Sequence, residues 1–301
     1  MHRRYAILDV FTDEALTGNP LAVVLEAEGL DEARMQAIAR EFNLSETVFV
    51  LPSREPRHRA RLRIFTPARE LPFAGHPTIG TAILLALESG SAADALAFGL
   101  EEEIGIVPCV VEIRGERAGH ARFRLPKLPT FDGDAPDEIA TAWALGLAPS
   151  EIGFARHVTS RHSAGVPFCF VPLASREAVT RASPRHEAFE KAFGGNGRRA
   201  AAFVYTRETV GEGRHFHARM FGQGLGIGED PATGSAVAAF AGALMQCEPL
   251  GDGEHAFVIE QGFEMGRPSL IELSMTLRHG ALVAAEIGGT ALVVAEGRLT
   301  L

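Results

Sequence analysis

Two short stretches of this sequence carry residues suited to binding and moving charge. Residues 228–245 read GEDPATGSAVAAFAGALM. Aspartate is a favoured helix N-cap, and proline is tolerated at the first helical position because its missing N–H has no intrahelical partner there. Asp230-Pro231 therefore predicts a helix start. Thr233, Gly234 and Ser235 keep the first turn small and polar, so a ligand can approach its backbone N–H groups. The run that follows, 236–245, is apolar almost all round, which places the helix inside a domain. A buried helix whose N-terminus bears a carboxylate, a glycine and a hydroxyl predicts an anion-binding, catalytic end.

The same device occurs earlier. His76-Pro77-Thr78-Ile79-Gly80-Thr81-Ala82 aligns with Asp230-Pro231-Ala232-Thr233-Gly234-Ser235-Ala236, and an apolar run follows both. Upstream, Arg63-Ile64-Phe65 matches Arg219-Met220-Phe221. Both of these segments alternate like strands, with Ala60, Leu62 and Ile64 opposite Arg59, Arg61 and Arg63, and Phe216, Ala218 and Met220 opposite His215, His217 and Arg219. A repeat of strand, glycine-containing loop and buried helix predicts two similar lobes, with the two helix N-termini facing one cleft.

The elements that must position these residues are partly legible. Strands are expected at 5–10, 21–25, 47–51, 61–65, 101–114 and 121–125, and a helix at 31–42 with Met35, Ile38, Ala39 and Phe42 on one face. The proline- and aspartate-rich 126–136 reads as the connection between lobes. Beyond it, helices are expected at 138–147 and 176–193, a loop at 194–199, and strands at 168–173, 200–205, 256–260, 270–277, 281–287, 291–295 and 297–301. Many short strands with about one buried helix per lobe suggest strand-rich barrels, each wrapped around a helix.

Bulk properties exclude several classes. A chain of 301 residues exceeds one ordinary core, so two domains are expected. A net charge of −9 argues against nucleic acid and anionic membrane surfaces as partners. No apolar run approaches membrane-spanning length, and the N-terminal MHRRYAILDVF reaches Asp9 too soon for a signal peptide. Cys109, Cys169 and Cys247 lack paired spacing, so neither a disulfide framework nor a zinc site is expected, and a reducing cytoplasm is the simple reading. His215 and His217 share a strand face without a suitably spaced third ligand, which reads as a polar face rather than a metal pair.

Taken in order, DVFTDEALTGNPLAVV (9–24), NLSETVF (43–49), FTPARELPFAGHPTIG (65–80), 163–167, 228–236 and QGFEMGRPS (261–269) resemble the phenazine-biosynthesis PhzF-like isomerase family. The resemblance runs from the first strand to the last. It implies an α+β fold of two pseudo-symmetric lobes, each a strand-rich barrel-like sheet wrapped around a buried helix, as in diaminopimelate epimerase. The implied boundaries are 1–126 plus 288–301 for one lobe and 127–287 for the other, with the site between them. It further implies a homodimer, no metal and no organic cofactor.

Carried over residue by residue, the family's acid/base glutamate falls on Glu46, its motif histidine on His76, its aspartate on Asp230 and its hydroxyl on Ser235. By position, Asn19, Ser45, Gly75 and Gly234 line the same cleft. Glu46 opens an apolar strand, where partial burial is expected to raise its pKa and suit it to take and return a proton. The implied reaction is a proton shift on a small carboxylic acid, dihydro-hydroxyanthranilate being the family's substrate.

Each residue has a plainer competing account. Glu46 read alone is a solvated boundary residue, His76 a cap-like polar group, Asp230 an N-cap, and Ser235 merely small. A racemase using two opposed thiols needs a cysteine at each helix start, and neither start has one. A metabolite-binding protein that kept the fold, and an isomerase for an unrelated small acid, both remain open.

Overall fold

The structure is a computed structural model describing residues 2–91, 93, 95–194, 199–225 and 227–301. Its strands, in chain order, are β1 (His2–Val10), β2 (Asn19–Val24), β3 (Glu46–Leu51), β4 (Ala60–Phe65), β5 (Glu70–Leu71), β6 (Ala95–Glu102), β7 (Gly105–Ile113), β8 (Ala118–Arg124), β9 (Thr130–Phe131), β10 (Ser160–Ser163), β11 (Pro167–Pro172), β12 (Ala202–Thr206), β13 (Phe216–Gly222), β14 (Ile227–Asp230), β15 (Gly253–Gln261), β16 (Ser269–Arg278) and β17 (Ala281–Thr300). The α-helices are α1 (Glu32–Phe42), α2 (Gly75–Leu87), α3 (Glu138–Leu145), α4 (Arg176–Arg181), α5 (His186–Phe193) and α6 (Gly234–Cys247). The chain forms two compact units, residues 1–126 with 287–301, and residues 127–286. No helix among the described residues is long and apolar enough to cross a membrane.

In the first unit the pairings run from β1 through β2, β3, β4, β6, β7 and β8 to β17, and β17 pairs back onto β1. The fold is therefore mixed α/β, with a strand-rich sheet that closes into a barrel and leaves no open edge around that circuit. Helix α2 is apolar on every side, and Gly75 to Ala86 are all buried. It packs against β1, β2, β3, β6, β7 and β8. Helix α1 is amphipathic instead. Asp31 caps it by accepting from the Arg34 N–H, and Met35, Ile38 and Ala39 bury one face against a cluster that includes Phe49 and Phe65.

In the second unit, β9, β10 and β11 are antiparallel neighbours, and β11 runs parallel to β12. β13 then pairs with β12, β14 and β15, and β15 with β16. Helix α6 is buried along most of its length and packs on β10, β11 and β16. Phe240 locks it in place with ring contacts to Phe170, Phe203, Tyr205 and Phe216, pairs worth about 0.5–1.5 kcal/mol each beyond area burial. On the other side of β11 and β12, α3, α4 and α5 cover a cluster containing Leu145, Val171, Val204, Phe189 and Phe193.

Several element readings need correcting. The stretch 101–114 is a hairpin of β6 and β7, because the chain reverses after Glu102 and Gly105 adopts φ +128°. The stretch 176–193 is two helices, since Pro184 cannot continue the first and pushes Ser183 toward extended backbone. The three last expected strands are one, β17, with a register irregularity where it meets Ile7 and Leu8 of β1. Asp230 ends β14 and is no N-cap; α6 begins at Gly234 with Thr233 as its cap residue. The loop expected at 194–199 lies, over 195–198, outside the described residues.

Candidate active site

The first unit assembles Asn19, Glu46 and His76 from three elements. β2 and β3 are parallel with Leu21 opposite Glu46, so Asn19 and Glu46 start neighbouring strands. His76 is the second residue of α2. Its Nδ1 lies 3.4 Å from Asn19 Nδ2, and its Nε2 lies 3.4 Å from Glu46 Oε2. All three side chains are buried: Asn19 is 0%, Glu46 8% and His76 4% exposed. Burial pushes the His76 imidazole down to about 3, so it is neutral at physiological pH. With the Asn19 amide donating to Nδ1, the ring proton sits on Nε2 and faces Glu46, and because the imidazole is uncharged the contact is not an ion pair. Ser45 and Gly75 adjoin Glu46 and His76 in sequence. The first α-helical bond of α2 is from Thr78 N to Ala74 O, so the N–H groups of Gly75 and His76 have no intrahelical partner.

The second unit builds a polar helix start around Asp230. Thr233 Oγ1 donates to Asp230 Oδ2 at 2.6 Å. Gln261, fully buried at the end of β15, donates from Nε2 to Asp230 O (2.7 Å) and Thr233 Oγ1 (3.0 Å), and its Oε1 accepts from Thr233 N (3.1 Å). Gly234 and Ser235 are the first two residues of α6, ahead of its first bonds from Ala236 N and Val237 N to Thr233 O. Ser235 is half-buried at this start. Thus Asp230, Gly234 and Ser235 come together, although by a route different from the expected cap.

The repeated arginines hold equivalent hairpins. Arg63 on β4 forks onto Glu70 (2.6 and 2.5 Å) and lies over the Phe65 ring; Arg219 on β13 forks onto Glu229 (2.8 and 2.9 Å) and lies over Phe221. In the ladders, Phe65 faces Glu70 and Phe221 faces Glu229. Each fork thus closes the hairpin that leads into a buried helix. Sequence reasoning assigned no role to Thr78, Glu102 or Gln261. Gln261 opens the QGFEMGRPS motif, a usable signal, whereas Glu102 is hidden in a run of three glutamates at the start of an expected strand. All three cysteines are free and buried, with the Cys169 thiol pushed up to about 12 by burial. Among the described residues, no three His, Cys, Asp or Glu side chains are grouped to hold a metal ion.

Comparison with known proteins places this arrangement. Residues 8–297 match the family described as Phenazine biosynthesis-like protein (PhzC-PhzF). A Mesorhizobium japonicum protein described as an uncharacterized isomerase is 52% identical over 305 residues, covering 99% of this chain and 98% of the relative. The trans-2,3-dihydro-3-hydroxyanthranilate isomerase of Pseudomonas aeruginosa is 36% identical over 304 residues, covering 100% of both chains. The crystal structure of a PhzF-family phenazine biosynthesis protein from Bacillus anthracis matches with TM-score 0.89 and 28% identity, covering 100% of both chains. The chain belongs to the phenazine-biosynthesis PhzF-like family, and it is an isomerase.

Proposed function

We propose that this isomerase works without a cofactor, moving a proton between atoms of a small carboxylic acid by general acid/base catalysis. Its substrate is of the kind named for its Pseudomonas relative, trans-2,3-dihydro-3-hydroxyanthranilate. The observation that carries the reading is the buried Glu46 carboxyl group beside the neutral His76 ring. Glu46 takes the proton from one carbon and returns it to another, a step that needs one group with both protonation states within reach. His76, held by Asn19, offers a neutral N–H and leaves the substrate's negative charge for the helix start, where the Gly75 N–H points. In the second unit, Asp230 and Ser235, with the Gly234 N–H, form a polar helix start suited to the polar groups of such an acid. Ser45 and Asn19 complete the contacts around Glu46.

Part of the same proposal is the finer architecture: two pseudo-symmetric lobes, each wrapping a buried helix, as in diaminopimelate epimerase. The equivalent arginine forks before α2 and α6 support it. Carboxyl rather than thiol chemistry is supported by the placement of the cysteines. Cys109 lies on β7, Cys169 on β11 and Cys247 at the last position of α6, away from both helix starts.

The test is steady-state turnover of trans-2,3-dihydro-3-hydroxyanthranilate. Glu46→Gln, near-isosteric but unable to exchange a proton, is expected to lower kcat by about 100-fold or more. Wild-type turnover by Glu46→Gln would refute the assignment.

A further inference from the structure

We propose that Glu102 and Gln261 are matched positioning residues. Each donates a hydrogen bond to a threonine hydroxyl in the first turn of a buried helix, and so fixes the backbone that carries His76 in one unit and Asp230 in the other. This rests on the acid/base reading of that chemistry, and nothing in the family comparison assigns either residue a role.

The correspondence is set by strand register. β4 and β6 run parallel with Arg61 opposite Glu101; β13 and β15 run parallel with His217 opposite Glu260. Glu101 accepts from the N–H groups of Arg54 and Glu55 and contacts His58 Nδ1 at 2.9 Å. Glu260 accepts from the N–H groups of Val210 and Gly211 and from Arg214 Nη1. Both glutamates therefore pin the end of their strand to the preceding loop in the same way. The next residue along each strand is Glu102 or Gln261, and each side chain ends at a threonine of the helix start.

Proton counting fixes the direction of the Glu102 bond. Thr78 Oγ1 lies 2.8 Å from Ala74 O and 2.7 Å from Glu102 Oε1. A hydroxyl has one proton, and a carbonyl oxygen only accepts. Both short contacts carry a proton only if Thr78 donates to Ala74 O and Glu102 donates to Thr78 as a protonated acid; an ionised Glu102 would take the Thr78 proton and leave Ala74 O without it. The chain Glu102 to Thr78 to Ala74 O then runs in the same sense as Gln261 to Thr233 to Asp230 Oδ2. Burial agrees with this, pushing the Glu102 carboxyl up to about 8. Several groups lie around it: Cys109 on β7, itself pushed up by burial, and, lining a shared cavity, Arg61 and Arg63 on β4, Glu70 on β5, Arg54 in the loop before β4, and its neighbours Glu101 and Glu103. Among the described residues, no ion pair reaches Glu102 itself.

Ionised Glu102 can no longer donate. It competes with Ala74 O for the Thr78 proton, and the first turn of α2, with His76, loses its anchor.

Three variants of the full chain test this. Glu102→Ala is expected to lower kcat about tenfold or more, with a smaller change in KM, as loss of an outer hydrogen-bond partner commonly does. Glu102→Gln, which donates at every pH, is expected to restore most of that loss at neutral pH and to remain active above pH about 8, where wild type declines. Gln261→Ala is expected to lower kcat without an altered alkaline limb. Infrared spectroscopy at neutral pH reads the state directly: a protonated carboxylic acid band is expected in wild type and absent in Glu102→Gln. That measurement needs no substrate, so it stands even if Glu46→Gln proves fully active. Equal damage from Glu102→Gln and Glu102→Ala, or no carboxylic acid band assignable to Glu102, would overturn the proposal.

Discussion

His76 shows how one residue's environment decides its chemistry. An exposed histidine titrates near neutrality, but desolvation holds this one far below the ordinary histidine range, at about 3. A neutral ring can hand an N–H to a substrate without placing a full positive charge in the site. The account predicts that the His76 ring nitrogens, followed by 15N NMR, show no titration between pH about 5 and 8. A midpoint near the ordinary histidine value would contradict it. Because its folded pKa is depressed, burial of His76 contributes no penalty above pH about 6.5 and becomes progressively destabilising as pH falls toward 3. At this scale the sequence was informative for Glu46, His76 and Asp230, which stand in short, distinctive motifs. It was silent on Glu102, because nothing local distinguishes a buried, protonated glutamate from its two neighbours Glu101 and Glu103. Only the pairing of β4 with β6 makes the difference.

The elements position the site through their ends. α2 and α6 are legible as buried helices because they are apolar all round, yet the start of α6 was misplaced. Asp230-Pro231 has the composition of a cap, but Asp230 remains in β14 and Gln261, distant in sequence, holds Thr233 as the cap residue instead. A tertiary hydrogen bond overrode a local preference. Proline in the 176–193 stretch carried a break signal that helical spacing outweighed. Gly262 shows what the turn after β15 requires: its φ is +81°, and a Cβ there meets Arg267 O at 2.4 Å and Pro231 O at 2.5 Å. Both contacts are backbone oxygens, and Pro231 adjoins Asp230 in sequence. Gly262→Ala is therefore expected to destabilise the protein by about 1–3 kcal/mol, seen as a lowered midpoint in thermal unfolding, and to lower turnover as Pro231 shifts. An unchanged midpoint would contradict the close approach.

Over the whole molecule, the repeat seen as two short alignments extends into three dimensions as equivalent arginine forks and equivalent buried glutamates in each unit, with a threonine near each helix start, one position apart in the alignment, contacted by the next residue of the strand. The strand–loop–helix pattern was legible because both copies kept the same small residues. The joining of the chain's last strand to the first unit came only from the family resemblance, which gives 288–301 to that lobe, since partners at opposite chain ends leave no local trace. Each unit thus supports one helix start with a buried polar side chain, and in the proposed mechanism Glu46 is the residue on which the chemistry turns. The most direct test is proton NMR of trans-2,3-dihydro-3-hydroxyanthranilate in deuterated water, with wild type and Glu46→Gln compared at equal concentration. Isomerisation by wild type that is abolished in Glu46→Gln, while the variant still binds the substrate, is the predicted result. Isomerisation at the wild-type rate by Glu46→Gln would show that another group carries the proton.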